Sequence, residues 1–523
     1  MEKLLVGFLI ILTVLGIELQ YIVNKLLTPK GFFYLGTVHW PSDYFYYLSQ
    51  FAQGSEHWLT STMLFTPEKL TPVYIGWQNV LTGKLLMLAG LDVIAAYQAA
   101  VGIYLTLFLI ISWLFIREIF PKNPAKRVLS LLFFLTSTSL FSVKFGAHGF
   151  EWSYFNHWYN LGIPLARFGP TPHHLLAYAL GVASWLFYLR NRMFLLALSG
   201  FLHASINPVA WGLNVMVIAV CGFIPKLKIK SYFPAGVLFL SGILPALYAK
   251  AVFSQLPYSL SSAWESAQHL KLVPAQLFMG TGLVIILALF GLKNFPGKAG
   301  KGRIFSLVFL TLAVFFYLTD ISEKFKISNA RFWPSQVYLL WGLLAAEGIL
   351  VLSKIFGKFK KVVLVILLLI YFTSIIPTLY LNYREILTPK YSNGSYFIPH
   401  DVYLAFREAK KISGNKDIFL VVWPFNESFP ALTGRKTLFG YELFTINYQE
   451  KMTRVFAIID GKMGEDELKR TLSVYKINYL LMYSPSEYFR KFPFFKEVYK
   501  NPTITIYRFL IGNIQKNKIN KAL

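Results

Sequence analysis

A carboxylate just after a Trp-Pro-Ser turn is the first residue placed to do chemistry. Residues 39–58 read HWPSDYFYYLSQFAQGSEHW. Pro41 disfavours helix at Trp40, Ser42 is a good N-cap, Asp43 then falls in the first turn, and Gly54 is a natural stop. A helix N-terminus favours negative charge. A carboxylate held there, at a membrane surface, could take a proton from a sugar hydroxyl or bind a metal ion. The ordinary alternative is that Asp43 only caps its helix. That helix is rich in Tyr, Phe and Leu and is expected to float in the membrane interface. His39 and Glu56 flank it as possible acceptor or metal contacts.

A second polar stretch reads KFGAHGFEWSYFNHWYNLGIPLARFGPTPHHLL. His148 and Glu151 are three apart and could share a helix face with a metal between them. His157 follows, but no tight ligand signature is present. Arg167, His173 and His174 place a permanent cation and two imidazoles at the mouth of an apolar segment. The planar fork of Arg grips phosphate well. A third stretch, DISEKFKISNARFWP, offers Arg331 as a second phosphate contact, with Lys324 and Lys326 solvated. Either arginine could instead snorkel to lipid headgroups.

The elements that must position these groups are membrane helices. The chain has 523 residues, of which 55% are hydrophobic and 15% charged. A soluble chain carries roughly 25% charged residues. Apolar runs long enough to cross a hydrocarbon core recur through the first 380 or so positions. The 48 Phe and 31 Tyr residues suit membrane interfaces. The net charge of +26 would suggest nucleic acid in a soluble protein. Much of the excess sits in short tracts between apolar runs, where it sets topology, so a nucleic-acid partner is rejected. The single cysteine, Cys221, excludes a disulfide framework or a cysteine-based metal site. The apolar stretch from Leu4 to Val23 is too long for a signal-peptide core and is expected to be an uncleaved first helix.

Five basic tracts separate apolar segments, at 117–127, 190–192, 226–230, 293–303 and 354–361. Placing all five on the cytoplasmic side gives one consistent map. It predicts about eleven crossings. The first ends near residue 24 and the second spans 93–116. The rest fall at 128–143, 174–189, 193–206, 207–224, 232–249, 275–292, 304–319, 335–353 and 362–381. Residues 73–91 carry Trp77, Gln78, Asn79 and Lys84, and are expected to form an amphipathic helix on the outer interface rather than a crossing. The outer regions are then 25–92, 144–173, 250–274 and 320–334. His203, Asn207 and Pro208 are expected in an outer turn, and Glu347 is a lone acid about mid-crossing with no evident partner.

After residue 382 the charge density rises and long apolar runs stop. Helices are expected at 401–412, 448–459 and 464–476, and strands at 417–423, 478–484 and 503–509. This alternation suggests a small α/β domain. The stretch WPFNESFPALTGRKTLFGYE is turn-rich. Its Glu427, Arg435, Tyr441 and Glu442 could touch an acceptor glycan, or could belong to an ordinary loop. Asn393 and Asn426 sit in glycosylation-type triplets.

A first membrane helix followed by a large outer loop with an acidic residue near its start resembles the GT-C membrane glycosyltransferases. The loop is similar to that of the aminoarabinose and protein O-mannosyl transferases. Pro67, Pro72, the 73–91 helix and Leu91-Asp92 follow the same order. The adjacent acidic pair frequent in that family is absent, since Tyr44 follows Asp43. The resemblance implies a polytopic α-helical membrane protein with interfacial helices in its first outer loop. The expected domains are a GT-C-like membrane domain over 1–381, with its outer loop at 25–92, and an extracytoplasmic α/β domain over 382–523. It also implies a glycosyltransferase that uses a polyprenyl-phosphate sugar donor and an extracytoplasmic glycan, lipid or protein acceptor, with or without a divalent metal. In that reading Asp43 is catalytic, Arg167, Arg331, His173 and His174 hold donor phosphate, and His39, Glu56, His148, Glu151 and His157 are acceptor or metal contacts. The alternative is a non-enzymatic protein of the same fold that binds or moves a lipid-linked glycan. The polar groups cluster outside the apolar segments rather than deep within them, which favours chemistry over transport.

Overall fold

A computed structural model describes residues 2–38, 40–146, 149–155, 163–224, 232–271, 273–295, 300–388, 394–484 and 487–510. Among these, six single helices are long and apolar enough to cross a membrane: Glu2–Leu26, Val93–Ile119, Phe233–Phe253, Lys301–Leu318, Gln336–Ile355 and Gly357–Arg384. A bent pair, Pro274–Thr281 and Leu283–Leu292, would make a seventh. Other apolar segments form shorter helices at Met193–Ile206 and Pro208–Gly222. Val362, Val365, Ile366, Leu369, Ile370 and Ile376 are all exposed on one long helix. Such a surface is stable only against lipid. The chain is an integral membrane protein.

It divides into two compact units. One holds residues 1–20, 100–251 and 263–388; the other holds 21–99, 252–262 and 389–523.

In the first unit, Gln336–Ile355 is the central helix, buried along nearly its whole length. It packs on Leu283–Leu292 and on Pro124–Thr136. The Leu283–Leu292 contact depends on facing glycines. A Cβ on Gly348 would lie 1.7 Å from the Leu287 carbonyl oxygen, and one on Gly291 would lie 2.1 Å from that of Leu344. Close backbone approach of this kind is how helices associate in lipid. Gly348→Val should therefore force the pair apart, read as loss of the folded monomer in detergent size-exclusion chromatography. Glu347, unpartnered in the sequence reading, forms an ion pair with Lys126 at 2.6 Å, with only 10% and 18% of the side chains exposed. Glu347→Leu would strand a buried ammonium and should cost about 3–5 kcal/mol. Adding Lys126→Met should restore most of the thermal stability. No recovery in the double variant would mean that packing, not charge, sets the loss.

Two expected crossings take other forms. The segment 128–143 is helical only over Pro124–Thr136. Ser137, Thr138 and Ser139 follow, and such residues compete with the helix for backbone hydrogen bonds. An antiparallel hairpin then pairs Phe141–Gly146 with Gly149–Tyr154. Aromatic and β-branched residues favour this pairing. The segment 275–292 breaks by 105° at Gly282. Gly282 has φ +67, and a Cβ there would meet the Thr138 carbonyl oxygen at 2.0 Å, so glycine is required on both counts. His203 lies in the last turn of Met193–Ile206 rather than in a loop, and Asn207 caps the next helix by accepting from the Ala210 amide.

In the second unit, the helix Pro41–Gln53 starts two residues earlier than expected. Trp40 is the N-cap, with Pro41 at the first helical position where its missing N–H costs nothing. Ser42 is therefore inside the helix and its hydroxyl is available for another contact. The helix does not float in an interface. Tyr44, Phe45, Leu48, Phe51 and Ala52 are buried, and it packs on Trp77–Leu88 and on Ser428–Thr433. Trp77–Leu88 has 12 residues, about 18 Å of helix, too short to cross.

The C-terminal stretch builds a five-stranded sheet. Its order is Lys436–Thr437, Ile418–Val421, Tyr479–Tyr483, Ile504–Phe509, Phe495–Lys500. The first three strands are parallel and the last two pair antiparallel. Helices His400–Ile412, Tyr448–Ile459 and Glu465–Val474 fall where expected. Phe495–Lys500 was not anticipated: FKEVYK is a mostly exposed edge strand whose lysines break the apolar pattern. Asn426 is buried, which removes it as a glycosylation acceptor in the folded protein; Asn393 lies outside the described residues.

Candidate active site and phosphate site

Asp43 sits half-buried in the first turn of its helix. Its Oδ1 accepts a 2.7 Å hydrogen bond from the Tyr441 hydroxyl, 398 residues along the chain. Tyr441 is held by the edge-to-face contact of its ring with Phe444 at 5.4 Å, and Phe444 stacks on Tyr46 at 4.2 Å. Glu427 is the N-cap of Ser428–Thr433, the short helix packed against that of Asp43. Burial pushes the Glu427 carboxyl above its ordinary range. A hydrogen bond from Ser42 opposes this, and the charge of Asp43 adds to it. Two carboxyl groups therefore share one site with opposed electrostatic demands, the arrangement that separates acid from base roles.

Two ion pairs tie the C-terminal stretch to the segment that follows this helix. Arg435 donates to Glu56 at 2.7 Å and also to the carbonyls of Lys410 and Ser413. The fully buried Lys451 donates to Glu68 at 2.6 Å and to Thr66 at 3.1 Å. Glu56, expected as an acceptor or metal contact, is thus engaged by Arg435. Burial raises its pKa, but the Arg435 guanidinium outweighs that and holds the carboxyl below its usual range. Sequence reasoning left the stretch of Glu427, Arg435, Tyr441 and Glu442 open, as an acceptor contact or as an ordinary loop over the sheet. No local spacing could have linked it to Asp43.

In the other unit, Arg167 lies in a one-turn segment, Ala166–Phe168. Phe168 anchors it edge-to-face against Phe134 at 5.3 Å and Phe108 at 6.0 Å. The arginine is 2% exposed. Its Nη1 donates to Ser137 Oγ, and its guanidinium lies 4.0 Å from the Tyr338 ring centroid. Its carbonyl accepts from Ser335. Nε and Nη2 have no hydrogen-bond partner among the described residues, and no carboxylate pairs with the charge there. A buried cation in that condition is expensive.

His173 and His174 open the helix Pro172–Leu189, their rings edge-to-face at 4.3 Å. Arg331 sits in the turn Asn329–Phe332 and grips Glu265 with both faces of its fork, Nε to Oε1 at 2.8 Å and Nη2 to Oε2 at 2.6 Å. Asn329 laces that turn to the opposite loop through the Leu270 amide and carbonyl. His269 Nε2 meets Asp320 Oδ1 at 2.9 Å, and with Glu323 these form a group of three that could hold a metal ion.

No protein-family model matches the sequence, and no curated protein matches it. Solved structures do. The apo oligosaccharyltransferase of Archaeoglobus fulgidus superposes with a TM-score of 0.55 at 10% identity, over 91% of this chain and 69% of that one. The same enzyme, AglB, in complex with an inhibitory peptide and a dolichol-phosphate gives 0.53 at 9% identity, with the same coverage. The mycobacterial arabinofuranosyltransferase AftD gives 0.51 at 15% identity, over 96% of this chain and 40% of that one. The fold is that of the GT-C membrane glycosyltransferases.

Not every residue expected to serve a GT-C site can be placed. His39, His148 and His157 lie outside the described residues. Glu151 is in the strand Gly149–Tyr154, so the helix face it was expected to share with His148 does not exist. Around Asp43, Glu427 supplies a second carboxyl, but no third His, Cys, Asp or Glu joins them among the described residues; the group that does form is His269, Asp320 and Glu323. The described residues at Asp43 therefore do not make up a metal site, and no step below passes through one.

Proposed function

We propose that this chain is a glycosyltransferase that moves a sugar from a polyprenyl-phosphate carrier to an acceptor hydroxyl outside the cytoplasm. The observation that carries this reading is Arg167: a buried guanidinium whose Nε and Nη2 have no hydrogen-bond partner among the described residues, set in a GT-C fold. A lipid-borne phosphate satisfies both the charge and the free edge. His173 and His174 add donors at the start of the next helix. Arg331, paired with Glu265, is assigned to the same phosphate.

In the reaction, Asp43 takes the proton of the acceptor hydroxyl. The freed oxygen attacks the anomeric carbon, and the bond from that carbon to the phosphate oxygen breaks. Polyprenyl phosphate leaves, and Arg167 is the residue assigned to the carrier's phosphate. Tyr441 orients Asp43 throughout. The membrane map supports an extracytoplasmic site, because the five basic tracts fall in segments other than those carrying Asp43, Arg167 and Arg331.

The test is transfer of radiolabel in proteoliposomes from a panel of polyprenyl-phosphate sugars, alongside binding of unsugared polyprenyl phosphate. Label moving to an acceptor supports the reading. Carrier bound with no transfer, across the whole panel, would favour the non-enzymatic alternative.

A further inference from the structure

Resting on the glycosyltransferase reading, we infer that Glu427 is an acceptor-binding residue and that the acceptor is a carbohydrate presenting two neighbouring hydroxyls. The first support is geometric. Glu427 and Asp43 come from helices packed on one another, and Ser42, next to Asp43, hydrogen-bonds the Glu427 carboxyl. Asp43 in turn is oriented by Tyr441 at 2.7 Å. One carboxyl is thus placed to accept a proton and its neighbour to hold one. Neighbouring hydroxyls on a sugar ring sit about one hydrogen-bond length apart and match such a pair: one is deprotonated at Asp43, the other is held by Glu427.

The second support is aromatic. Trp40 is 62% exposed and Trp423 56% exposed. Trp40 stands three residues before Asp43, and Trp423 four before Glu427. Exposed indoles beside a polar pair suit the apolar face of a sugar ring, while their N–H groups stay hydrated. A lone serine or threonine hydroxyl would engage only one of the two carboxyls. Burial, together with the negative charge of Asp43, keeps Glu427 protonated to higher pH than an ordinary carboxyl, which suits a hydrogen-bond donor. Tyr441 faces Asp43 directly, Tyr46 feels the charge of Asp43, and Tyr448 feels those of Glu427 and Glu442.

The test uses the full chain in proteoliposomes, with short oligosaccharides and with sequon and Ser/Thr peptides as acceptors. Glu427→Ala should raise the acceptor KM by about 10-fold or more, with donor KM unchanged. Glu427→Gln keeps a neutral donor and should stay close to wild type. It should also lose the rise in acceptor KM that wild type shows as pH climbs through the Glu427 titration. A merely structural role would not separate Gln from Ala in this way. Binding of the same oligosaccharides to carrier-free protein is measured by calorimetry, independently of turnover. Saccharide binding that depends on Glu427 without any transfer would sustain this inference while removing the enzymatic reading. Transfer to saccharide with an unchanged acceptor KM in Glu427→Ala would overturn Glu427 alone. Transfer to peptide and not to saccharide would overturn the acceptor class, as would the absence of both transfer and saccharide binding.

Discussion

Asp43→Asn should insert and fold normally yet transfer sugar roughly 10²–10⁴-fold more slowly, the span expected for loss of a general base. The amide oxygen of asparagine can still accept from the Tyr441 hydroxyl, so the 2.7 Å contact that orders this region survives. Only the capacity to take a proton is lost. Carrier binding should be unchanged, because the carrier phosphate is assigned to Arg167. Tyr441→Phe offers a graded comparison: Asp43 keeps its charge but loses its orienting donor, so the loss should be smaller and confined to turnover. Both variants are read in the proteoliposome transfer assay, with circular dichroism to verify folding. Wild-type turnover by Asp43→Asn would remove Asp43 from the chemistry.

Arg167→Met should separate stability from binding, with opposite signs. A buried charge that lacks a counter-ion costs the empty protein free energy, so replacing it with an apolar chain of similar length should leave thermal unfolding unchanged or shifted upward. The same change removes the charge-assisted bonds to phosphate, each worth about 1.5–3 kcal/mol. Affinity for polyprenyl phosphate should therefore fall by about 10–100-fold. Arg167→Lys keeps the charge without the fork and should lie between. The measurements are unfolding in detergent with and without added polyprenyl phosphate. If Arg167→Met unfolds at a clearly lower temperature and binds carrier normally, Arg167 is a strut, acting through Ser137, Ser335 and the Tyr338 ring rather than through a ligand.

Legibility in the sequence followed the range of the interactions. The helices His400–Ile412, Tyr448–Ile459 and Glu465–Val474 were readable because amphipathic periodicity is local. The hairpin at 141–154 was not, because an aromatic run ending a crossing and an aromatic strand carry the same short pattern. The 105° break at Gly282 was also hidden: the glycine is visible, but the Thr138 carbonyl that demands it lies 144 positions earlier. The partner of Glu347 was invisible for the same reason, with Lys126 221 residues away. Even the cap of the Asp43 helix moved by two residues, from Ser42 to Trp40, and that shift frees Ser42 to meet Glu427.

By itself the sequence determined that this is a membrane protein, since too few charges and too many apolar runs leave no other stable solvent for the chain. It also singled out Asp43, Arg167 and Arg331, because ionisable groups bordering apolar segments are costly and few. Tertiary structure decided what surrounds them. Arg331 acquires Glu265 as a counter-ion while Arg167 has none among the described residues, and Asp43 acquires Tyr441 and Glu427. Those differences arise from packing between segments far apart in the chain, where burial and Coulomb energy depend on neighbours that no local spacing records.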